Sequence, residues 1–487
     1  MADIEFDEWM SDADAALWHA ERDPRLRSTI ALVCELDRAP DRARFDESIA
    51  YTLAQIPRLR QRVVQDALGL APPRWEEDPH FDLRFHVRHA TLGGQGSLRA
   101  LLDMAEPIAM QAFDKDRPLW ELYLVDGLTG GRAGMILKLH HAVSDGMGLV
   151  RMTGALVERT RERDPRKAEA SAEFARASEP SEGDRLRDAA RHRRSQQVSS
   201  GQRLVRALAS GVASFLRDPS GTLEDVRETA ESIGRSLKPV SEPMSPIMRE
   251  RGMALRLSGF PVPLTDLKRA GEALGGTLND AFVTAIAGGL RLYHEKRGAP
   301  VDELRMTMPI NLREADKAQK AGNQFAPARF LVPVGIADVR ERLREIQSRI
   351  REQRGEKALP FIDDIFGVMN ALPRAASLTL LGGMLKAIDF VTSNVPGPRF
   401  AVYLAGAKIE RMFPFGPPAG AAVNVTLYSY DGVCQVGVNC DRAAVPDAEL
   451  LSECLERGFD ELFAAANDER AKGDGAARAE NEAESAG

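Results

Sequence analysis

Two local rhythms alternate along this chain. Short apolar runs read as strands, and longer stretches carry apolar residues at helical spacing. Ser28 to Leu36 reads as a strand, Arg44 to Leu53 as a helix and Trp120 to Val125 as another strand. Met135, Ile136, Leu137 and Leu139 form a further apolar run, followed by a helical pattern from about Met147 to Arg161. The rhythm then lapses. Between about Glu162 and Ser200, Arg, Glu, Ala and Ser dominate, a composition that buries little core and reads as a solvated connector. Leu204, Val205, Leu208, Val212, Phe215 and Leu216 then recur at helical spacing, with Arg203, Arg206 and Arg217 beside them. Such a basic amphipathic helix either packs on the protein's own core or lies on an anionic membrane surface. Pro239, Pro243 and Pro246 punctuate the chain before a second folded region begins near Met253.

The second region repeats the mixture. Leu264 to Arg297 is strongly helical, with Val283, Ile286, Ala287 and Leu290 on one face and Gly288-Gly289 allowing close approach of another element. Arg305 to Ile310 reads as a strand and Val339 to Arg351 as a helix. Ser393-Asn394-Val395-Pro396-Gly397-Pro398 reads as a rigid turn after an apolar strand. Val423 to Ser429 and Val433 to Val438 flank Tyr430-Asp431-Gly432, a hairpin signal. A final helix is expected to end near Phe463, with a disordered Ala/Glu/Gly-rich remainder. The fold class is therefore α/β (α+β), with two domains and a cleft between them. The expected divisions are residues 1–161, a connector over 162–252, a second domain over 253–465 and a tail over 466–487.

Composition narrows the function. The chain has 487 residues, enough for two or three domains, and 44% hydrophobic content supports large cores. A formal net charge of −7, with no basic patch interleaved with aromatics, gives no reason to expect nucleic-acid binding. The four cysteines include no CxxC pair. Cys434 and Cys440 have an even spacing that puts both on one strand face, as small core residues. No signal peptide and no run of about 18 apolar residues is visible, which predicts a cytoplasmic protein or one bound peripherally to a membrane surface.

Candidate chemistry concentrates at His140-His141-Ala142-Val143-Ser144-Asp145-Gly146, between an expected strand and an expected helix. The chain has only eight histidines, and two are adjacent here. Alternation lets one face a cavity while the other packs inward. Asp145 can satisfy partners at the turn, and Gly146 permits φ > 0 or close backbone approach. The layout suits one general base held by a structural carboxylate. Histidines at strand ends often serve structure alone, and that alternative stands beside it. A metal site is not expected, because adjacent strand histidines diverge and no further ligand has a recognisable spacing. Ser144 lacks the Gly-x-Ser-x-Gly setting of a nucleophile.

Several segments together resemble one family, the bacterial wax ester synthase/diacylglycerol acyltransferases. The histidine segment matches its HHxxxDG motif, and Pro118-Leu119-Trp120-Glu121 matches its PLW segment. Asn279-Asp280 matches its ND segment, Pro309-Ile310-Asn311-Leu312-Arg313 the strand end that follows, and Ser393 to Pro398 its SNVPGP segment. The stretch from Met10 to Glu21 is similar to the family's N-terminal stretch. The resemblance spans about Met10 to Phe463 and leaves the connector and tail poorly matched. It implies two chloramphenicol-acetyltransferase-like domains with a tunnel at their interface. It also implies His141 as catalytic base and His140 as a supporting residue.

An imidazole that titrates near neutral pH can take the proton of an alcohol attacking a thioester, so no acyl-enzyme is required. Asn279 is a candidate for substrate binding or positioning, with a helix-cap role as the alternative. Asp145 is expected to orient the motif through an ion pair, with Arg313 and Arg399 as possible partners, and Trp120 is expected in the core. The leading function is transfer of a long acyl chain from acyl-CoA to a fatty alcohol or diacylglycerol. Acyl-CoA is then a substrate, and no cofactor is expected. The enzyme would work in the cytoplasm, peripherally on the inner face of the cell membrane or on lipid droplets. The alternatives are an acyltransferase of the same fold using another alcohol or an amine, or a catalytically silent lipid-binding protein.

Overall fold

A computed structural model describes residues 5–144, 146–169, 179–195, 242–311, 320–321, 325–355 and 374–485. Asp145, Arg313 and the amphipathic stretch from Gly201 to Arg217 lie outside the described residues. The first half begins with β1 (Glu5–Phe6) and α1 (Asp12–Ala20), followed by β2 (Thr29–Leu36) and α2 (Arg42–Gln55). Next come β3 (Gln61–Val64), β4 (Arg74–Glu77), the single turn α3 (Leu83–His86), β5 (Val87–Gly96) and α4 (Leu98–Met110). Then β6 (Trp120–Leu128), β7 (Arg132–His140) and α5 (Gly146–Leu156) complete it. The second half contributes β8 (Leu255–Pro263), β9 (Glu303–Asn311), β10 (Lys320–Ala321), β11 (Phe325–Pro333) and β12 (Phe390–Pro396). It ends with β13 (Tyr403–Leu404), β14 (Ala407–Phe415), β15 (Val423–Tyr430) and β16 (Val433–Asp441).

Two six-stranded sheets carry the molecule, ordered β13-β14-β2-β7-β6-β5 and β11-β9-β12-β15-β16-β8. The first-half boundary expected near residue 161 does not divide the sheets, because β13 and β14 leave the second half and complete the first sheet. β14 runs antiparallel to β2, with Phe413 opposite Val33 and Pro414 opposite Leu32. In return, β1 pairs with β10 of the second half. β2 sits centrally between β14 and β7 and is buried at all eight positions, with the apolar run Ile30 to Cys34 at its centre. Odd-numbered β7 residues such as Met135 and Leu139 pack with α2 residues Phe45, Ile49 and Leu53, while Ile136 joins the core under α4.

Several local expectations hold, with adjusted ends. The β15–β16 hairpin turns through Asp431 (φ 46°) and Gly432 (φ 82°), both left-handed as a tight hairpin demands. Cys434 and Cys440 are buried and unpaired by disulfides. Gly289 does permit close approach: a Cβ there would stand 2.6 Å from Leu455 Cα on the C-terminal helix.

Others are corrected. Leu264 to Arg297 forms two helices, Leu264–Ala273 and Leu278–Lys296, separated at Gly275 (φ 79°). Ser393 to Pro396 belongs to strand β12, parallel to β15, so the turn begins only at Gly397. The last helix runs Ala448–Ser485, because its Ala- and Glu-rich continuation has helix-favouring composition. Part of the expected solvated connector packs on the first half. Residues 182–195 are helical, His192 stacks on Trp9 at 4.3 Å, and Arg185 pairs with Glu76 at 2.8 Å. The connector's end also docks. Asp389 accepts the N–H groups of Met244 (3.1 Å) and Ser245 (2.9 Å), tying that segment to the second sheet.

Candidate active site

β7 delivers the histidine pair to the edge of the first sheet's core. His140 is its last residue, opposite Thr29 of β2, and the chain turns over residues 141–143 before Gly146 opens α5. The turn is held by backbone bonds from His140 N–H to Leu119 O (3.0 Å), His141 N–H to Ser28 O (2.8 Å) and Val143 N–H to His140 O (3.0 Å).

His140 is 1% exposed, and both of its ring nitrogens are engaged. Nδ1 accepts the Ala142 N–H at 3.0 Å, so in the neutral ring the proton resides on Nε2, which donates to Glu21 Oε1 at 2.8 Å. Trp18 and Phe113 meet the ring edge-on at centroid distances of 5.3 and 6.0 Å. The same Glu21 oxygen accepts the Ser28 N–H at 2.7 Å, and Lys115 Nζ stands 3.8 Å from the other oxygen. Burial works to raise the Glu21 pKa, yet His140, the Ser28 N–H and Lys115 together hold it below the usual carboxylate value.

His141 is half-buried. On the strand before it, Leu137 and Leu139 alternate onto one face of β7. Those two leucines line an apolar cavity between β6, β7, α2 and α5. It is small, about 40 Å³ and partly open to solvent, and its walls include Ile49, Leu53, Trp120 and Met152. Trp120 is a core residue as expected, its Nε1–H donating to Leu59 O at 2.7 Å. It therefore shapes the cavity from a fixed position.

The structure brings His140, His141 and Gly146 together on the β7–α5 connection, which lies alongside β12 of the second sheet. Asn279 lies on the helix Leu278–Lys296, where its Nδ2 is 3.6 Å from Met308 Sδ. The capping role at that helix belongs to its neighbours. Thr277 and Asp280 form a reciprocal capping box, so Asn279 is not the cap. Arg399 is exposed. The residue that sequence reasoning missed is Glu21, which lies in the N-terminal stretch singled out above. The available signal was a carboxylate at the C-terminal end of a helix, where the helix dipole disfavours negative charge; nothing local pointed from it to His140.

The chain matches the wax ester synthase/diacylglycerol acyltransferase catalytic domain over residues 10–282 and the C-terminal domain of the same family over residues 321–463. A putative diacylglycerol O-acyltransferase of Mycobacterium tuberculosis is 37% identical over 458 residues, covering 94% of this chain and 92% of the relative. A second from the same species is 30% identical, covering 84% and 86%. Among solved structures, the wax ester synthase/diacylglycerol acyltransferase of Marinobacter aquaeolei VT8 superposes with a TM-score of 0.59 at 22% identity, covering 94% of this chain and 100% of that one. The first condensation domain of the calcium-dependent antibiotic synthetase gives 0.61 at 18% identity, covering 95% and 96%. At these identities, the two superpositions establish the shared fold.

Proposed function

The chain belongs to the wax ester synthase/diacylglycerol acyltransferase family, and from that premise we propose that it moves a long acyl chain from acyl-CoA to a fatty alcohol or diacylglycerol, with His141 as general base. One observation carries the assignment within the pair: His140 is buried with both ring nitrogens held in structural hydrogen bonds, whereas His141 is only half-buried on the turn. His141 takes the hydroxyl proton as the acceptor oxygen attacks the thioester carbonyl. The tetrahedral adduct collapses with cleavage of the carbon–sulfur bond, and the imidazolium returns the proton to the departing CoA thiolate. The enzyme forms no acyl intermediate, and acyl-CoA enters as a consumed substrate.

The acceptors are lipids, so peripheral contact with a membrane or lipid-droplet surface belongs to the same proposal. Among the described residues, no helix is long and apolar enough to cross a membrane. Purified protein with labelled palmitoyl-CoA, offered hexadecanol, a diacylglycerol, an amine or no acceptor, tests the reaction class. His141→Ala is expected to lower kcat by roughly 10²–10⁴ while circular dichroism is unchanged. Near-normal turnover in that folded variant would remove His141 from the role of base.

A further inference from the structure

Glu21 is the 8%-exposed carboxylate that joins the two strand ends beneath the histidine turn. Its Oε1 receives two N–H groups, from His140 Nε2 at 2.8 Å and from the Ser28 backbone at 2.7 Å. These donors belong to different strands. Ser28 immediately precedes β2, His140 closes β7, and their rung pairs Thr29 with His140. The Ser28 carbonyl in turn accepts the His141 N–H at 2.8 Å. A single oxygen atom thus fixes the ring next to His141 and the backbone that holds His141 from below.

The requirement at this position is specific. Because Ala142 N–H occupies His140 Nδ1, neutral His140 presents a donor at Nε2, and only an acceptor at residue 21 can meet it. Among the described residues of the motif, none performs this task. Glu21 lies 119 positions away from His140 and comes from the segment after α1. Trp18, also from α1, packs its ring against the same imidazole.

We propose that Glu21 is a positioning residue for acyl transfer: by clamping His140 and Ser28 it sets where His141 stands relative to the reacting hydroxyl. The inference rests on the reading of His141 as base. Displacing a reacting group by about 1 Å costs on the order of 10²-fold in rate, which sets the scale of the effect.

Three substitutions separate geometry from charge. Glu21→Ala removes the acceptor and is expected to lower kcat about 100-fold. Glu21→Asp keeps the charge but withdraws the oxygen by one methylene, with an expected loss of about tenfold. Glu21→Gln keeps an oxygen that can accept both N–H groups, and kcat is expected to stay within about fivefold of the parent. The amide nitrogen would face Lys115, which is 46% exposed and keeps its contact with the Trp18 ring. KM for palmitoyl-CoA should stay within about twofold in all three, since the clamp acts through His141 and not through substrate binding.

Parent-like kcat in folded Glu21→Asp overturns the proposal, as does a kcat order with Asp above Gln or a loss confined to KM. If Glu21→Ala fails to fold, the Asp and Gln variants still decide the matter. His141→Ala assayed in parallel keeps the two readings apart. An active His141→Ala enzyme refutes the base, whereas an inactive one beside a parent-like Glu21→Asp enzyme refutes only the clamp.

Discussion

Gly437→Ala should be among the most damaging single-methyl additions in the molecule. Gly437 lies on β16 opposite Gly259 of β8, and together they make a notch in the second sheet. Into it fits β14, a strand of the other sheet. A Cβ at Gly437 would lie well inside 3.0 Å of the Pro414 carbonyl oxygen and 3.3 Å from Phe415 Cδ1. A Cβ at Gly259 would stand 2.5 Å from Phe413 Cδ1. The obstruction at Gly437 is backbone, so no rotamer change relieves it. Pro414 is held in a ladder opposite Leu32, and Phe413 and Phe415 beside it are buried to 0% and 1% exposure. Relief needs β14 to retreat by more than about 1 Å, which loosens packing that is normally as dense as a crystal. Overpacking alone costs about 1–3 kcal/mol, and a backbone obstruction belongs at or above the top of that range, so we expect about 3–5 kcal/mol. The displaced strand is bonded to β2, and β2 to β7, so turnover should fall in the folded fraction too. Urea unfolding followed by circular dichroism measures the cost. Gly298→Ala, at a φ of 67° with open space around it, is the control and should lose only about 1–2 kcal/mol. A Gly437→Ala protein no less stable than that control would refute the reasoning.

Two further outcomes test the electrostatics. Lys138 is fully buried, with its Nζ 3.4 Å from Glu121 Oε1 and 4.3 Å from the Phe113 ring centroid, and burial pushes its pKa down. Removing its partner by Glu121→Ala should cost about 3–5 kcal/mol, whereas Lys138→Met should cost much less in the same urea titration; equal losses would contradict this. Because the Glu21 pKa is lowered on folding, its contribution is present above the ordinary carboxylate value and is lost as pH falls through the lowered one. Thermal unfolding across an acid series should therefore show a smaller decline for Glu21→Gln than for the parent, and parallel curves would count against it.

Local pattern made much of the chain readable. The apolar run of β2 identified a strand, and the Asp431-Gly432 pair identified the hairpin turn, because only a left-handed turn joins those strands tightly. The paired histidines pointed to the site because adjacent imidazoles at a strand end are few in this sequence and chemically apt. Local pattern failed where several conformations satisfy the same residues. Ser393 to Pro396 has the Ser, Asn and Pro of a turn, yet its pairing with β15 draws it into the sheet. The stretch after Phe463 lacks the apolar content expected of a packed element, yet it continues a helix already anchored by Leu451, Leu455 and Leu462.

What the sequence determined by itself was the kind of most segments and the candidate histidine motif, since both follow from spacing within a few residues. The tertiary structure decided which sheet each strand joins and which carboxylate serves His140. β14 completes the first sheet because the Gly259–Gly437 notch lets it lie against the second, a fit set by residues more than 150 positions apart. Glu21 reaches His140 because β2 and β7 pair in one register, which brings Ser28 under the histidine turn. Neither relation has a local signature, because hydrogen-bond reach and steric room are properties of distance in space and not of distance along the chain.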